Sequence, residues 1–157
     1  MKIRYLGIEP SPSVFSSLKH NVPNQTIYNK GLWNQEKTIE FYISDSFGDS
    51  SIIPINNYKD KIDIKTITLD KIIEGLKSNI KLIKLEAEGA EPEILDGLRN
   101  FLKNVEYISV DAGFDRGYEA KSTVPECVNY LLKNNFDLIN YGKNRVVLLF
   151  KNNSFMP

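Results

Sequence analysis

Between Ile80 and Gly97 the chain reads IKLIKLEAEGAEPEILDG, and the spacing of its hydrophobic and polar positions changes midway. Ile83, Leu85 and Ala87 alternate with Leu82, Lys84, Glu86 and Glu88, the period of two that a strand requires. Ile94, Leu95, Leu98 and Leu102 then recur at helical spacing. Gly89 permits a tight turn between them, and Pro92 suits a first helical turn, where its missing N–H is not needed. The pattern predicts a strand, a turn and a helix, with Glu86 and Glu88 side by side at the strand's carboxyl end. Glu91 and Glu93 fall in the helix's first turn, where the macrodipole favours negative charge and explains them structurally. Glu86 and Glu88 have no such explanation, and their position admits either a structural or a chemical role.

The same reading extends along the chain. Residues 3–9 form an apolar strand ending on Glu9, and Ser11-Pro12 opens a helix with Val14, Phe15 and Leu18 on one face. Residues 26–33 (TIYNKGLW) predict the next strand, so the order is strand, helix, strand, with a parallel pair. Residues 38–44 alternate as an extra strand, and the polar stretch 45–51 is a loop. A brief strand over 62–68 leads into a helix carrying Leu69, Ile72, Ile73 and Leu76. Residues 107–112 form another strand that ends near Asp111. Thr123 and Glu126 have the spacing of a capping box for a helix bearing Val124, Cys127, Val128, Leu131 and Leu132. Residues 136–141 and 145–150 close the chain as a hairpin. The expected domain spans 1–151, and residues 152–157 are expected to fray.

Composition narrows the chemistry. Twenty basic residues balance twenty acidic ones among 157, which gives no electrostatic reason to expect nucleic acid as a partner. No apolar run approaches the roughly 18 residues of a membrane span, and Met1 is not followed by a signal-type apolar core. A cytoplasmic protein without membrane contact is expected. Cys127 is the single cysteine, so an internal disulfide and a cysteine zinc site are both unavailable, and its spacing places it in a core. His20 is the single histidine, in the last turn of a helix where a cation suits the dipole. These counts argue against Ser-His-Asp and Cys-His mechanisms and leave carboxylate chemistry, cofactor chemistry or none.

Four stretches together carry a resemblance: GIEPSPSVFSSLKHN at 7–21, ITLDKII at 67–73, KLIKLEAEGAEPEILDGL at 81–98 and YISVDAGFDRG at 107–117. In this order they resemble the FkbM-type methyltransferase family through nearly the whole chain. The resemblance implies an α/β, Rossmann-like class I fold with a mostly parallel sheet and an antiparallel C-terminal hairpin. It implies S-adenosylmethionine as cofactor, with Glu9 accepting from the ribose hydroxyls, Pro10 and Ser11 flanking the adenosine, and Leu32 and Trp33 near the adenine. It further implies catalytic positions at Glu86 and Glu88. Loops 45–60 and 113–122 are expected to frame the acceptor, with Asp111 and Arg116 on its side. Arg116 suits an anionic group there, or else pairs with Asp115 or Glu119.

Members of the family begin with a strand and a glycine-containing turn that wraps the methionine end of the cofactor. The sequence before Ile3 holds no such segment, so the first strand and helix of the sheet are expected to be missing. Two readings follow. The first is methyl transfer to an oxygen of a small molecule or glycan. The second is a non-catalytic α/β module, or half of a split enzyme, acting through a homo-oligomer or a chain that supplies the N-terminal strand. A weaker third makes Glu86, Glu88 and Asp111 oxygen ligands for Mg²⁺ or Ca²⁺, although no metal site is assigned.

Overall fold

A computed structural model describes residues 4–46 and 48–156. The chain is a mixed α/β protein of nine strands and four α-helices among the described residues, in the order β1 (Leu6–Ile8), α1 (Pro12–Asn21), β2 (Thr26–Tyr28), β3 (Gly31–Leu32), β4 (Thr38–Ser44), β5 (Tyr58–Ile67), α2 (Leu69–Leu76), β6 (Ile80–Leu85), α3 (Glu91–Asp96), β7 (Val105–Asp111), α4 (Val124–Lys133), β8 (Phe136–Tyr141) and β9 (Val147–Asn152).

The strands fall into three sheets. Strands β1 and β2 pair in parallel, with Gly7 opposite Ile27. Strand β5 sits between β3, which is parallel to it, and β4, which is antiparallel. The largest sheet has the order β6-β7-β9-β8, with β6 and β7 parallel and the closing β8–β9 hairpin antiparallel. The expected C-terminal hairpin is therefore present. A single mostly parallel sheet is not formed among the described residues, where the β4–β5 ribbon adds a long antiparallel pairing. Among the described residues, strands β1 and β6 each have one hydrogen-bonded neighbour and leave their other edge without a strand partner.

Several boundaries differ from the sequence reading for identifiable reasons. Residues 26–33 divide into two strands because the Asn29 side chain bonds back to the carbonyls of Glu9 and Pro10, at 2.9 and 3.1 Å. After this turn Gly31 enters the other sheet, where a Cβ would lie 2.8 Å from Ile64. Strand β5 runs from Tyr58 rather than Ile62, since its polar start pairs with β4 on an exposed ribbon that has no apolar signature. Helix α3 ends at Asp96, and Leu102 lies in a separate 3₁₀ turn. There Asp70 competes for the backbone, its carboxylate accepting from the N–H groups of Arg99, Asn100 and Phe101 at 3.0–3.2 Å. The capping box at Thr123 does not form, because its hydroxyl donates instead to Glu91 at 3.1 Å.

The main core joins Leu85 of β6, Ile94, Leu95 and Leu98 around α3, and Ile108, Leu131 and Phe150. A smaller cluster of Phe41, Ile52 and Ile64 lies beneath the β4–β5 ribbon, and Trp33 packs against both. Cys127 is fully buried in the main core, as its helical spacing predicts, and burial pushes its thiol up to about 12. On α1, Val14, Phe15 and Leu18 do share a face, yet none is fully buried. The segment expected to fray is tied down at Asn152, whose amide donates to the carbonyls of Leu102 and Val105, and at Met156, whose carbonyl accepts from Asn79. Pro157 and residues 1–3 lie outside the described residues. No helix among the described residues is long and apolar enough to cross a membrane.

Candidate functional site

The carboxyl ends of β1, β3 and β6 converge on one cleft of about 220 Å³, lined by Glu9, Ser11 and Leu32 on one wall and by Lys84, Glu86 and Glu88 on the other. Carboxyl ends of strands are where loops and helix starts meet in α/β proteins, and ligands bind there for that reason.

The first wall is fixed by the turn after β1. The Glu9 N–H donates to the Tyr28 carbonyl at 3.0 Å, and one Glu9 carboxylate oxygen accepts from the Ser11 N–H at 2.8 Å. Burial raises the pKa of Glu9, and the Ser11 hydrogen bond opposes that shift. Pro10 lines the cleft beside them, and Ser11 is buried. Leu32 reaches the same cleft. Trp33 is directed elsewhere, into the junction of the two apolar clusters, with the Lys37 ammonium 5.7 Å from its ring centroid.

The second wall is the turn after β6. Glu88 adopts φ 49° and Gly89 φ 94°, so two successive residues are left-handed where the sequence drew attention to the glycine alone. This conformation is pinned from outside. The Ser51 hydroxyl donates to the Glu88 carbonyl at 2.7 Å, and the Arg116 guanidinium donates to the Gly89 carbonyl. A Cβ on Gly89 would stand 2.6 Å from the Arg116 Cα, so the chain passes too closely there for any side chain. Glu91 folds back beneath the turn, accepting from the N–H groups of Ala87 at 2.9 Å and Gly89 at 3.3 Å. It is 2% exposed, and burial raises its pKa. Glu91 thus supports the turn, and Glu93 holds Arg116 through bonds of 2.8 and 2.6 Å.

The two carboxylates assigned to catalysis differ in environment. Glu86 bonds the Lys84 ammonium and, at 3.0 Å, the Arg145 guanidinium, and these cations lower its pKa. Glu88 has no hydrogen-bond or ion-pair partner for its carboxyl among the described residues. Burial and the nearby charges of Asp115, Asp49, Glu91 and Glu86 push it up to about 7. Asp111, at the end of β7, pairs with Arg145. Arg116 pairs with neither Asp115 nor Glu119, because Glu93 presents a carboxylate in bidentate geometry, and Glu119 instead pairs with Lys121. Its guanidinium braces the turn. The loops expected to frame an acceptor do meet there, with the Asn56 amide donating to the Tyr118 carbonyl at 3.0 Å.

Arg145 was not singled out by sequence, yet it bridges Glu86 and Asp111. The signal was available in strand direction. In an antiparallel β7–β9 pair Val147 faces Asp111, so the hairpin turn just before it must return to the carboxyl edge of β7. A second cavity, about 420 Å³, is lined by Asn34, Thr68, Asp70, Asp96 and Arg99, and contains none of the predicted residues. Three of its carboxylates are already engaged, Asp70 by backbone N–H groups, Asp96 by Arg99 and Asn34, and Glu74 by Lys71. No group of three or more His, Cys, Asp or Glu side chains among the described residues is arranged to hold a metal ion.

Comparison with known proteins identifies the family. A relative from Haloferax volcanii, named hexuronic acid methyltransferase AglP, is 30% identical over 129 aligned residues, covering 73% of this chain and 50% of the relative. The chain thus spans about half the length of that curated relative. No solved structure matches the chain. The family model of the methyltransferase FkbM domain matches residues 1–138, which include the Glu9 wall, the Glu86–Glu88 turn and the Arg116 brace, and the chain belongs to the FkbM methyltransferase family.

Proposed function

We propose that the cleft between Glu9 and Glu88 is the cofactor and acceptor site of an S-adenosylmethionine-dependent methyltransferase acting on an oxygen of a small molecule or glycan. The observation that carries this reading is that one cavity joins Glu9, Pro10, Ser11 and Leu32 to the acidic turn at Glu86 and Glu88.

The residues suit such a cofactor in part. Glu9 keeps one carboxylate oxygen beyond its bond to Ser11, and an ionised carboxylate accepts through both, as a ribose diol requires. Leu32, Val14 and Ile52 offer apolar surface for an adenine. At about 220 Å³ the cleft falls below the roughly 300 Å³ at which small-molecule pockets begin. The unpaired edges of β1 and β6 offer a place for more wall. A further parallel strand between them, from the same polypeptide or a partner, would give the order β2-β1-new-β6-β7-β9-β8. That is a Rossmann-like, mostly parallel sheet, and it would enlarge the cleft's floor.

S-adenosylmethionine supplies an already activated methyl group, so this chain's residues contribute mainly position and charge. The acidic turn suits a cationic sulfonium. The name of the Haloferax volcanii relative makes a sugar acid one acceptor to try. Balanced charge gives no pull toward nucleic acid or an anionic membrane, and the reading takes the acceptor from the cytoplasm.

Calorimetric titration of S-adenosylmethionine into the chain, beside Glu9→Ala, tests the reading. Binding in the micromolar range that is lost in the variant supports it. A folded chain that takes up no S-adenosylmethionine favours the second reading, a module or half-enzyme that works through a partner strand on the β1 and β6 edges.

A further inference from the structure

Resting on that reading, we infer that the two carboxylates of the acidic turn have separate tasks: Glu88 touches the reacting centre and takes the proton of the acceptor hydroxyl, while Glu86 is a fixed anion held by Arg145 and Lys84.

The argument is geometric first. Glu86 is bonded to two cations, one from its own strand and one from the β8–β9 turn, and both hold it ionised where it is. A carboxylate so engaged is a poor proton acceptor, because protonation would break both contacts. Glu88 lines the same cleft, and its carboxyl has no partner among the described residues. Its backbone is left-handed, which a non-glycine residue rarely adopts without a reason. Three other parts of the chain hold it so, namely Ser51 on its carbonyl, Arg116 on the next carbonyl, and Glu91 beneath the turn. The strained residue lies on the cleft and carries a carboxyl without a partner among the described residues. Strain that is pinned on several sides concentrates at functional positions.

Charge supports the same division. The groups facing Glu88 are Asp115, Asp49, Glu91 and Glu86, all acidic, with Arg145 as the nearby cation. Together with burial they bring Glu88 to about 7, where a general base works best near neutral pH. Two neighbouring carboxylates thus acquire distinct roles from their surroundings.

The proton balance is simple. The methyl carbon leaves sulfur, which keeps the bonding pair and becomes a neutral thioether, and bonds the acceptor oxygen. The hydroxyl proton passes to a Glu88 carboxylate oxygen and is released to solvent afterwards.

The test needs no identified acceptor. S-adenosylmethionine and S-adenosylhomocysteine differ by the methyl group and the positive charge on sulfur, so the ratio of their affinities reads the charge at the reacting centre. Both are titrated calorimetrically between pH 6 and pH 8 into the wild type, Glu88→Gln and Glu86→Gln. If Glu88 touches the reacting centre, the preference for the sulfonium grows about tenfold as Glu88 ionises. This growth persists in Glu86→Gln and vanishes in Glu88→Gln. A ratio independent of pH in the wild type, or a pH dependence that survives Glu88→Gln, overturns the assignment alone. Failure of both ligands to bind overturns the methyltransferase reading, and the assignment with it. Carboxyl ¹³C NMR of the same proteins gives a second reading, and a Glu88 signal that titrates in the ordinary carboxylate range overturns the assignment by itself.

Discussion

Arg116 grips Glu93 through two parallel hydrogen bonds of 2.8 and 2.6 Å, and the same guanidinium covers the Gly89 carbonyl. The two side chains are 29% and 21% exposed, which shelters the pair from much of the solvent screening that weakens surface pairs. One arginine therefore fastens the loop after β7 both to helix α3 and to the acidic turn. Arg116→Ala is expected to lower stability by about 1–3 kcal/mol in urea denaturation. Arg116→Lys keeps the charge without the planar fork and should recover little of it. In a double-mutant cycle with Glu93→Gln the loss in the double variant should be smaller than the sum of the two single losses.

Gly89 has a different reason to resist change. Its φ of 94° is open to glycine, and an added Cβ would meet the Arg116 Cα at 2.6 Å. Gly89→Ala should therefore cost about 2–4 kcal/mol, combining backbone strain with a clash against main chain. Gly75 is the internal control, since it lies inside α2 with nothing within 4 Å of a new Cβ. Gly75→Ala should gain up to about 1 kcal/mol from helix propensity. Thermal or urea denaturation of both variants checks the contrast, and equal effects would contradict the packing described.

Glu88 makes stability depend on pH in a stated direction. Its folded pKa is raised from 4.5 to about 7, so the folded chain holds this proton more tightly than the unfolded chain. Its contribution is greatest below about 4.5 and declines as pH rises through 7. Glu86 runs the other way. Its folded pKa is lowered, so its contribution is present above the ordinary glutamate range and is lost as pH falls. Glu88→Gln should match the wild type at pH 4 and exceed it at pH 8 by roughly 1 kcal/mol, a figure reduced for the half-exposed position. Urea midpoints at the two pH values read the difference.

The parts of this architecture that were legible in sequence are those whose signal is local. The change from strand to helical spacing around Gly89 gave β6, the turn and the start of α3, and regular spacing gave α2, α4 and the hairpin. The strand-end carboxylates Glu9, Glu86 and Glu88 followed from the same spacing together with the family resemblance, and the fold brings them to one cleft. What escaped depends on contacts between distant residues. The carboxylate of Asp70 ends α3 from about 30 positions away, and Thr123 abandons its own helix cap for Glu91. Arg145 reaches Glu86 across 59 positions. The left-handed turn at Glu88 is likewise imposed by Ser51 and Arg116, so no propensity of glutamate could have announced it.

Trp33 is the chain's single tryptophan, and it packs against the main core and the small cluster under the β4–β5 ribbon at once. Its backbone carbonyl also sits where a Cβ on Gly97 would intrude, at 2.5 Å. The indole thus occupies the seam between the ribbon and the rest of the molecule, one residue beyond the cleft wall at Leu32. The protein consequently carries its own fluorescent gauge. A change in the emission of this one ring registers any parting of the ribbon from the core, with no label and no second tryptophan to blur the reading.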